Sequence, residues 1–198
     1  MQRGPHACGA AEANPTAARA IGAGIMWDFF KTVRHRHSIR RYQADMPVEA
    51  EKLHAILETA IAAPSAGDLQ AYRITAVQDQ TLRDALCRAA HDQTFIAEAP
   101  VALVFCAESE RSARKYGDRG RNLYALQDAT IAAAYAQLAV VAAGLGSTWV
   151  GFFDEEEVRR VLGLPGDQRP IALLCVGYPA ELPEVTPRRR LDELVNYK

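Results

Sequence analysis

Arg36, Ser38 and Arg40 stand two residues apart inside a basic run, Arg34-His35-Arg36-His37-Ser38-Ile39-Arg40-Arg41. On an extended chain the three share one face; on a helix the two arginines are neighbours. Either geometry lets two guanidinium groups converge on one phosphate, because the planar fork grips phosphate oxygens in pairs, and Ser38 adds a hydroxyl donor. A solvated basic face would look the same. A second segment, Pro64-Ser65-Ala66-Gly67-Asp68-Leu69-Gln70, gathers small residues, a carboxylate and a carboxamide. With Gly67 free to adopt unusual backbone angles, such a loop can present amides and side chains to the polar edge of a ligand; an ordinary helix-stopping turn is the other reading. A third, Gly144-Leu145-Gly146-Ser147-Thr148-Trp149-Val150-Gly151, is glycine-rich enough for backbone to approach a flat ligand. It also reads as a helix cap followed by a core strand, with Trp149 a core residue. Together the segments suggest a site for a phosphorylated ligand with a polar ring edge.

The elements that must carry these segments are legible from periodicity. A short helix is expected over residues 28–34, anchored by Trp27, Phe30 and Val33. A longer one spans 48–62, with Leu53, Ile56, Leu57, Ala60 and Ile61 at helical spacing and Pro64 as its stop. Residues 71–77 alternate and are β-rich, so they read as a strand. Residues 81–90 form a helix with Leu82, Ala85, Leu86 and Ala89 inward, and 101–107 are a continuous apolar run suited to a central strand. Residues 124–143 are Ala-rich, free of internal Gly and Pro, and apolar around most of the circumference. Such a helix is buried on several sides, and a subunit interface is one way to bury it. Gly144 supplies its left-handed cap. Residues 148–153 return as a strand or extended loop. Residues 154–162 are a helix opened by the capping pair Asp154 and Glu157, and 170–178 are another strand. The tail from Pro179 wraps over a surface. The loose alternation favours an α+β layered arrangement over a doubly wound sheet. Neither a dinucleotide-binding GxGxxG after a strand nor a P-loop is present.

Composition narrows the class. The 198 residues carry 23 basic and 24 acidic side chains, a near-neutral balance that argues against a nucleic-acid-binding module built on the basic run. Cys8, Cys87, Cys106 and Cys175 show no CxxC spacing and no accompanying His cluster, so no metal site is expected. Cys106 and Cys175 sit in apolar runs as small core residues, and free thiols fit a reducing cytoplasm. Residues 1–25 lack the apolar core of a signal peptide and read as a flexible extension, with Met26 a candidate natural start and residues 26–198 a single domain. No membrane association is expected.

The three segments, with Glu156-Glu157-Val158-Arg159, Leu162-Gly163-Leu164-Pro165 and Val176-Gly177-Tyr178-Pro179, give the chain a resemblance to the FMN-dependent nitroreductase family, in family order over residues 27–198. The resemblance implies a nitroreductase-like three-layer α+β fold with a central, mainly antiparallel sheet flanked by helices. It implies a homodimer with FMN at the subunit interface, reduced by NADH or NADPH and reoxidised by a nitroaromatic, quinone or similar small acceptor in ping-pong fashion. Arg36, Ser38 and Arg40, flanked by His37, would grip the FMN phosphate, joined by Arg188 or else Arg190. Pro64, Ser65, Ala66 and Asp68 would reach the flavin from the other subunit, and Trp149, Val150 and Gly151 would lie along its ring. No catalytic side chain is implied, because the flavin carries the chemistry. Two departures stand out: Asp68 where the family commonly has Asn, and Ala71-Tyr72 where many members have Pro-Trp. Dehalogenation, flavin fragmentation and non-catalytic flavin binding are alternative uses of such a fold, and the charged segment 108–123 is a candidate lid.

Overall fold

The computed structural model describes residues 29–43 and 45–198. The expected extension 1–25, the start of the domain at 26 and the anchor Trp27 lie outside the described residues, as does Cys8. Four antiparallel strands form one sheet in the order β1-β2-β4-β3: β1 (Tyr72–Val77), β2 (Val101–Glu108), β3 (Gly146–Val150) and β4 (Gln168–Gly177). β2 is buried along its whole length, as its unbroken apolar run requires of an inner strand. Its side chains alternate between two cores. Val101, Leu103, Phe105 and Ala107 face the layer of α2 (Ala50–Ile61) and α6 (Ala125–Ala142). Ala102, Val104 and Cys106 face α3 (Gln80–Ala89), α4 (Phe95–Glu98) and α7 (Glu155–Leu162). The result is the expected three-layer α+β sandwich, with helices on both faces of the sheet. A register shift where β2 passes from Phe105 to Cys106 faces Pro170 of β4. Proline has no N–H to give a ladder, and a bulge is where a sheet tolerates one.

Local chemistry explains the element ends. Asp154 Oδ1 accepts from Glu157 N at 2.9 Å and caps α7. The reciprocal half of the capping box is not made: Asp154 N donates to Ala89 O, and Glu157 pairs with Arg160. Gly144 follows α6 at φ 76, as expected of a left-handed cap.

Two expectations are corrected. In α1 (Phe29–His35) the buried residue is Thr32, whereas Phe30 is 69% and Val33 44% exposed, so these two do not anchor the helix within the chain. Ile61 and Leu82 are exposed at the rims of α2 and α3. The candidate lid 108–123 is largely helical: Glu108 closes β2, α5 (Ser109–Arg119) follows, and a π turn (Gly120–Tyr124) runs straight into α6. The helical stretch Ser109–Ala142 has the length and hydropathy of a membrane span. Its apolar residues Ala125, Ala129, Ala132, Ala133, Ala136 and Val140 are instead packed in the core.

Candidate functional site

The basic segment leaves α1 as extended chain and runs beside β3. Ser38 forms a parallel bridge with Ser147, and Ile39 N donates to Ser147 O at 3.0 Å. Gly146 is required here, because a Cβ would come within 2.7 Å of the Ile39 side chain. That glycine serves close chain packing, and Gly144 serves the helix cap. Gly144 and Gly151 stand open to solvent, and the Trp149 indole lies beside Gly151. Trp149 is half-buried and packs on the α6 side of the sheet, and Val150 is buried.

The structure brings Arg188 within electrostatic reach of Arg36. Partial burial, and then the Arg188 guanidinium, lower the Arg36 pKa, and no carboxylate among the described residues pairs with either. Two like charges held close cost free energy until an anion sits between them. The hydroxyl of Ser147, the residue bridged to Ser38, is buried without a hydrogen-bond partner among the described residues, the kind of orphan that a ligand or water commonly satisfies. Arg40 turns its guanidinium over the Phe95 ring, 5.9 Å from the centroid, while its backbone N donates to Glu181 at 2.7 Å. Arg190 is committed to Asp192 by an ion pair and Arg189 to Glu193. His37 is half-buried at the same edge.

The loop carrying Pro64, Ser65, Ala66 and Asp68 lies elsewhere. Gly67, Asp68 and Gln70 all have positive φ, at 57°, 55° and 45°. Backbone of this kind persists only where its surroundings over-determine it, and a residue that sequence reasoning missed does so. Asp128, in the first turn of α6 and 2% exposed, accepts from Ala66 N at 2.9 Å and from Ala71 N at 3.3 Å. It clasps both ends of the loop. Ser65 Oγ accepts from Gln70 N at 2.9 Å, and Gln70 Nε2 reaches back to Ile61 O. From above, Arg111 Nε donates to Leu69 O at 2.6 Å. The loop's internal bonds are thus made by Ser65, Gln70 and Asp128, leaving the exposed Asp68 carboxylate without a hydrogen-bond partner among the described residues. Beside the loop opens a cavity of about 570 Å³ lined by Pro64, Ser65, Ala66, Tyr124, Gln127, Asp128 and Ile131. The one sequence clue to Asp128 was its charge within an Ala-rich helix; its partners lie 57 and 62 residues away.

The basic segment with Arg36, a candidate phosphate clamp, and the loop occupy diagonally opposite corners of the sheet. Ser38 adjoins Ser147, which pairs through Val176 with Val101 at the start of β2. Ala71, at the loop's end, accepts from Glu108 N at the end of β2. The strand rise sets these ends about 20 Å apart along β2, and the clamp and loop also stand at opposite edges of the sheet.

A three-layer antiparallel fold with an unpaired cation cluster at one corner and a strained, clasped loop at the other defines a class that comparison resolves. The nitroreductase family model matches residues 33–98 and 87–178, and the chain belongs to that family. It is 37% identical over 190 residues to the NADH dehydrogenase of Thermus thermophilus, covering 82% of this chain and 92% of that protein. It is 31% identical to the NADPH-flavin oxidoreductase of Vibrio harveyi over 80% of this chain and 68% of that one. Nitroreductase A from Vibrio parahaemolyticus superposes with a TM-score of 0.79 at 30% identity, covering 87% of this chain and 76% of that one. The NADPH:FMN oxidoreductase of Vibrio harveyi, solved with NAD+, gives 0.78 at 30%, covering 85% and 76%.

Proposed function

We propose that this protein is a homodimeric, FMN-dependent oxidoreductase that takes electrons from NAD(P)H and delivers them to a nitroaromatic, quinone or similar small acceptor. NAD(P)H-dependent oxidoreductase chemistry with FMN follows from membership of the family. The acceptor, the ping-pong order and the dimer are what we propose beyond that. The observation that carries it is the Arg36–Arg188 pair, two interacting cations with no carboxylate partner among the described residues, on the segment whose Ser38 is bridged to Ser147. That set fits the phosphate of FMN. When bound, FMN supplies hydride acceptance from the nucleotide and electron delivery to the acceptor.

The chain's own residues then hold and orient. Arg36, Arg188 and Ser38 take the phosphate, with Arg40 and His37 flanking. Val150 and Gly151 offer backbone to the ring, with Trp149 behind. Pro64, Ser65, Ala66 and Asp68 reach the ring edge. Because clamp and loop of one chain stand at opposite corners, one flavin meets both only if the loop comes from a second copy, and a two-fold dimer makes two such sites. The exposed Phe29 and Phe30 of α1, and Leu182, Val185, Leu191 and Leu194 in the tail, support a partner surface. A site open to two substrates in turn needs no protein acid or base. A cytoplasmic location suits the nucleotide donor.

The deciding experiment is anaerobic. The purified protein should be yellow, bleach with NADH or NADPH, and recover its colour with a quinone or nitroaromatic. Flavin that neither nucleotide reduces would overturn the enzymatic reading. For assembly, Ala134 is exposed on α6, so Ala134→Glu leaves the core alone. Sedimentation should give a folded monomer with weakened FMN binding; an unchanged dimer would remove this helix face from the interface.

A further inference from the structure

The helix and turn after β2 concentrate charge of which the site described above uses Arg111 alone. Residues 109–124 hold five cations, Arg111, Arg114, Lys115, Arg119 and Arg121, against two carboxylates, Glu110 and Asp118, on a chain of net charge -1. Arg121 takes both carboxylates, at 2.8 Å to Glu110 and 2.7 Å to Asp118. Arg111 is committed to the Leu69 carbonyl. Lys115 and Arg119 have no carboxylate partner among the described residues. Each is seated on an aromatic ring instead: Lys115 Nζ lies 5.3 Å from the Tyr116 centroid, and the Arg119 guanidinium 5.4 Å from that of Tyr124, with Nε donating to Tyr124 Oη at 2.9 Å. The two rings meet edge to face at 5.1 Å.

This cation–aromatic row borders the candidate site. Tyr124 lines the cavity with Pro64, Ser65 and Ala66. The Lys115 ammonium and Tyr116 hydroxyl crowd over Gly67 so closely that a Cβ there would overlap both. The aromatic seats fix the two cations while leaving the Lys115 protons and the outer guanidinium nitrogens of Arg119 free to donate.

We propose that Lys115 and Arg119 receive the 2′-phosphate of NADPH and make the phosphorylated nucleotide the preferred electron donor. This rests on the reading of the protein as an NAD(P)H-dependent flavin enzyme. NADPH differs from NADH by one phosphomonoester, a group that carries a charge of about -2 at neutral pH. A point cation and a planar fork without carboxylates of their own are matched to such a group. The exposed edges of Tyr116 and Tyr124 offer the adjoining adenine an apolar surface.

Two measurements test this on the flavin-loaded protein. Calorimetry compares 2′,5′-ADP with 5′-AMP, and anaerobic flavin bleaching compares NADPH with NADH. The wild type should bind 2′,5′-ADP at least about tenfold tighter than 5′-AMP, the increment expected of charge-assisted hydrogen bonds. Lys115→Ala with Arg119→Gln should erase that difference. The same pair should raise the apparent Kd for NADPH about tenfold, leaving the limiting bleaching rate and the NADH titration unchanged. Lys115→Ala alone, which removes no hydrogen bond within the fold, should give the same effect in part. Equal binding of the two adenosine phosphates by the wild type would overturn the proposal, as would an equal loss toward both nucleotides in the variants. Bleaching by neither nucleotide would overturn the enzymatic reading as well, whereas equal bleaching by both would overturn donor selection alone.

Discussion

The two corners of this sheet are built on opposite principles. At the clamp, Arg36 and Arg188 interact with no carboxylate partner among the described residues, and Ser147 keeps a buried hydroxyl with no partner among them. At the loop, the strained backbone is bonded from three sides, by Ser65 from within, Asp128 from below and Arg111 from above. The clamp is left unsatisfied and gains from an anion. The loop is satisfied in advance, and presents its outer face without further ordering. A ligand held between such corners draws affinity from the first and orientation from the second.

Breaking the loop should have the largest effect. Asp128→Ala leaves two loop amides without their acceptor and should cost about 3 kcal/mol of stability, read by denaturant unfolding. Asp128→Asn keeps one acceptor oxygen and should recover part of it. A loss below about 0.5 kcal/mol for the Ala variant would show that the loop does not depend on the clasp.

At the clamp the fold should survive and the ligand should leave. Arg36→Ala removes a charge-assisted contact of about 1.5–3 kcal/mol, lowering FMN affinity roughly 10- to 150-fold with little change in unfolding. It also relieves the repulsion with Arg188, so the apoprotein should lose none of its stability. Arg36→Lys should rescue partly, since an ammonium cannot reproduce the bidentate fork. Full flavin occupancy in the Ala variant would make the segment a solvated face.

Asp68 sharpens the comparison, because it is the one loop side chain whose charge is not used internally. Asn is well tolerated at a positive φ near 55°, so Asp68→Asn should keep the backbone. Removing a negative charge near the ring should raise the midpoint potential and speed reduction by NAD(P)H. Equal midpoints in a redox titration would mean that the carboxylate does not face the flavin.

The smallest effect concerns the thiols. Burial pushes Cys106 and Cys175 up to about 12 and raises Cys87. At pH 8 none of the three should be labelled by a thiol reagent in the folded protein, as peptide mass mapping would report. Labelling of Cys106 before unfolding would contradict its place between the layers.

How far the sequence could be read follows from where each signal resides. β2, β4 and α6 announce themselves because long apolar runs have few other places to go, and Asp154 and Gly144 because caps act within a few residues. The facing of α1 is not legible in the sequence because Phe30 and Val33 follow helical spacing yet find no apolar cover among the described residues. Asp128 escaped because its acceptors serve amides far away in sequence. Gly146 was legible as special but not for its reason: close approach of Ile39 is a tertiary fact. At the clamp, spacing pointed to Arg36, Ser38 and Arg40 together. It could not say that Arg40 would lean on Phe95 while Arg188, from the far end of the chain, came to Arg36.

The diagonal separation of clamp and loop has a genetic consequence. If each working site takes its clamp from one copy and its loop from another, two defective proteins can repair each other. At limiting FMN, a chain lacking Arg36 and a chain with a broken Ser65 loop should each be impaired as homodimers. Mixed by unfolding and refolding together, they form hybrids in which one site unites the two intact corners and the other unites the two broken ones. Random pairing of equal amounts should restore about a quarter of the wild-type sites. A chain that held clamp and loop at one corner could never complement in this way.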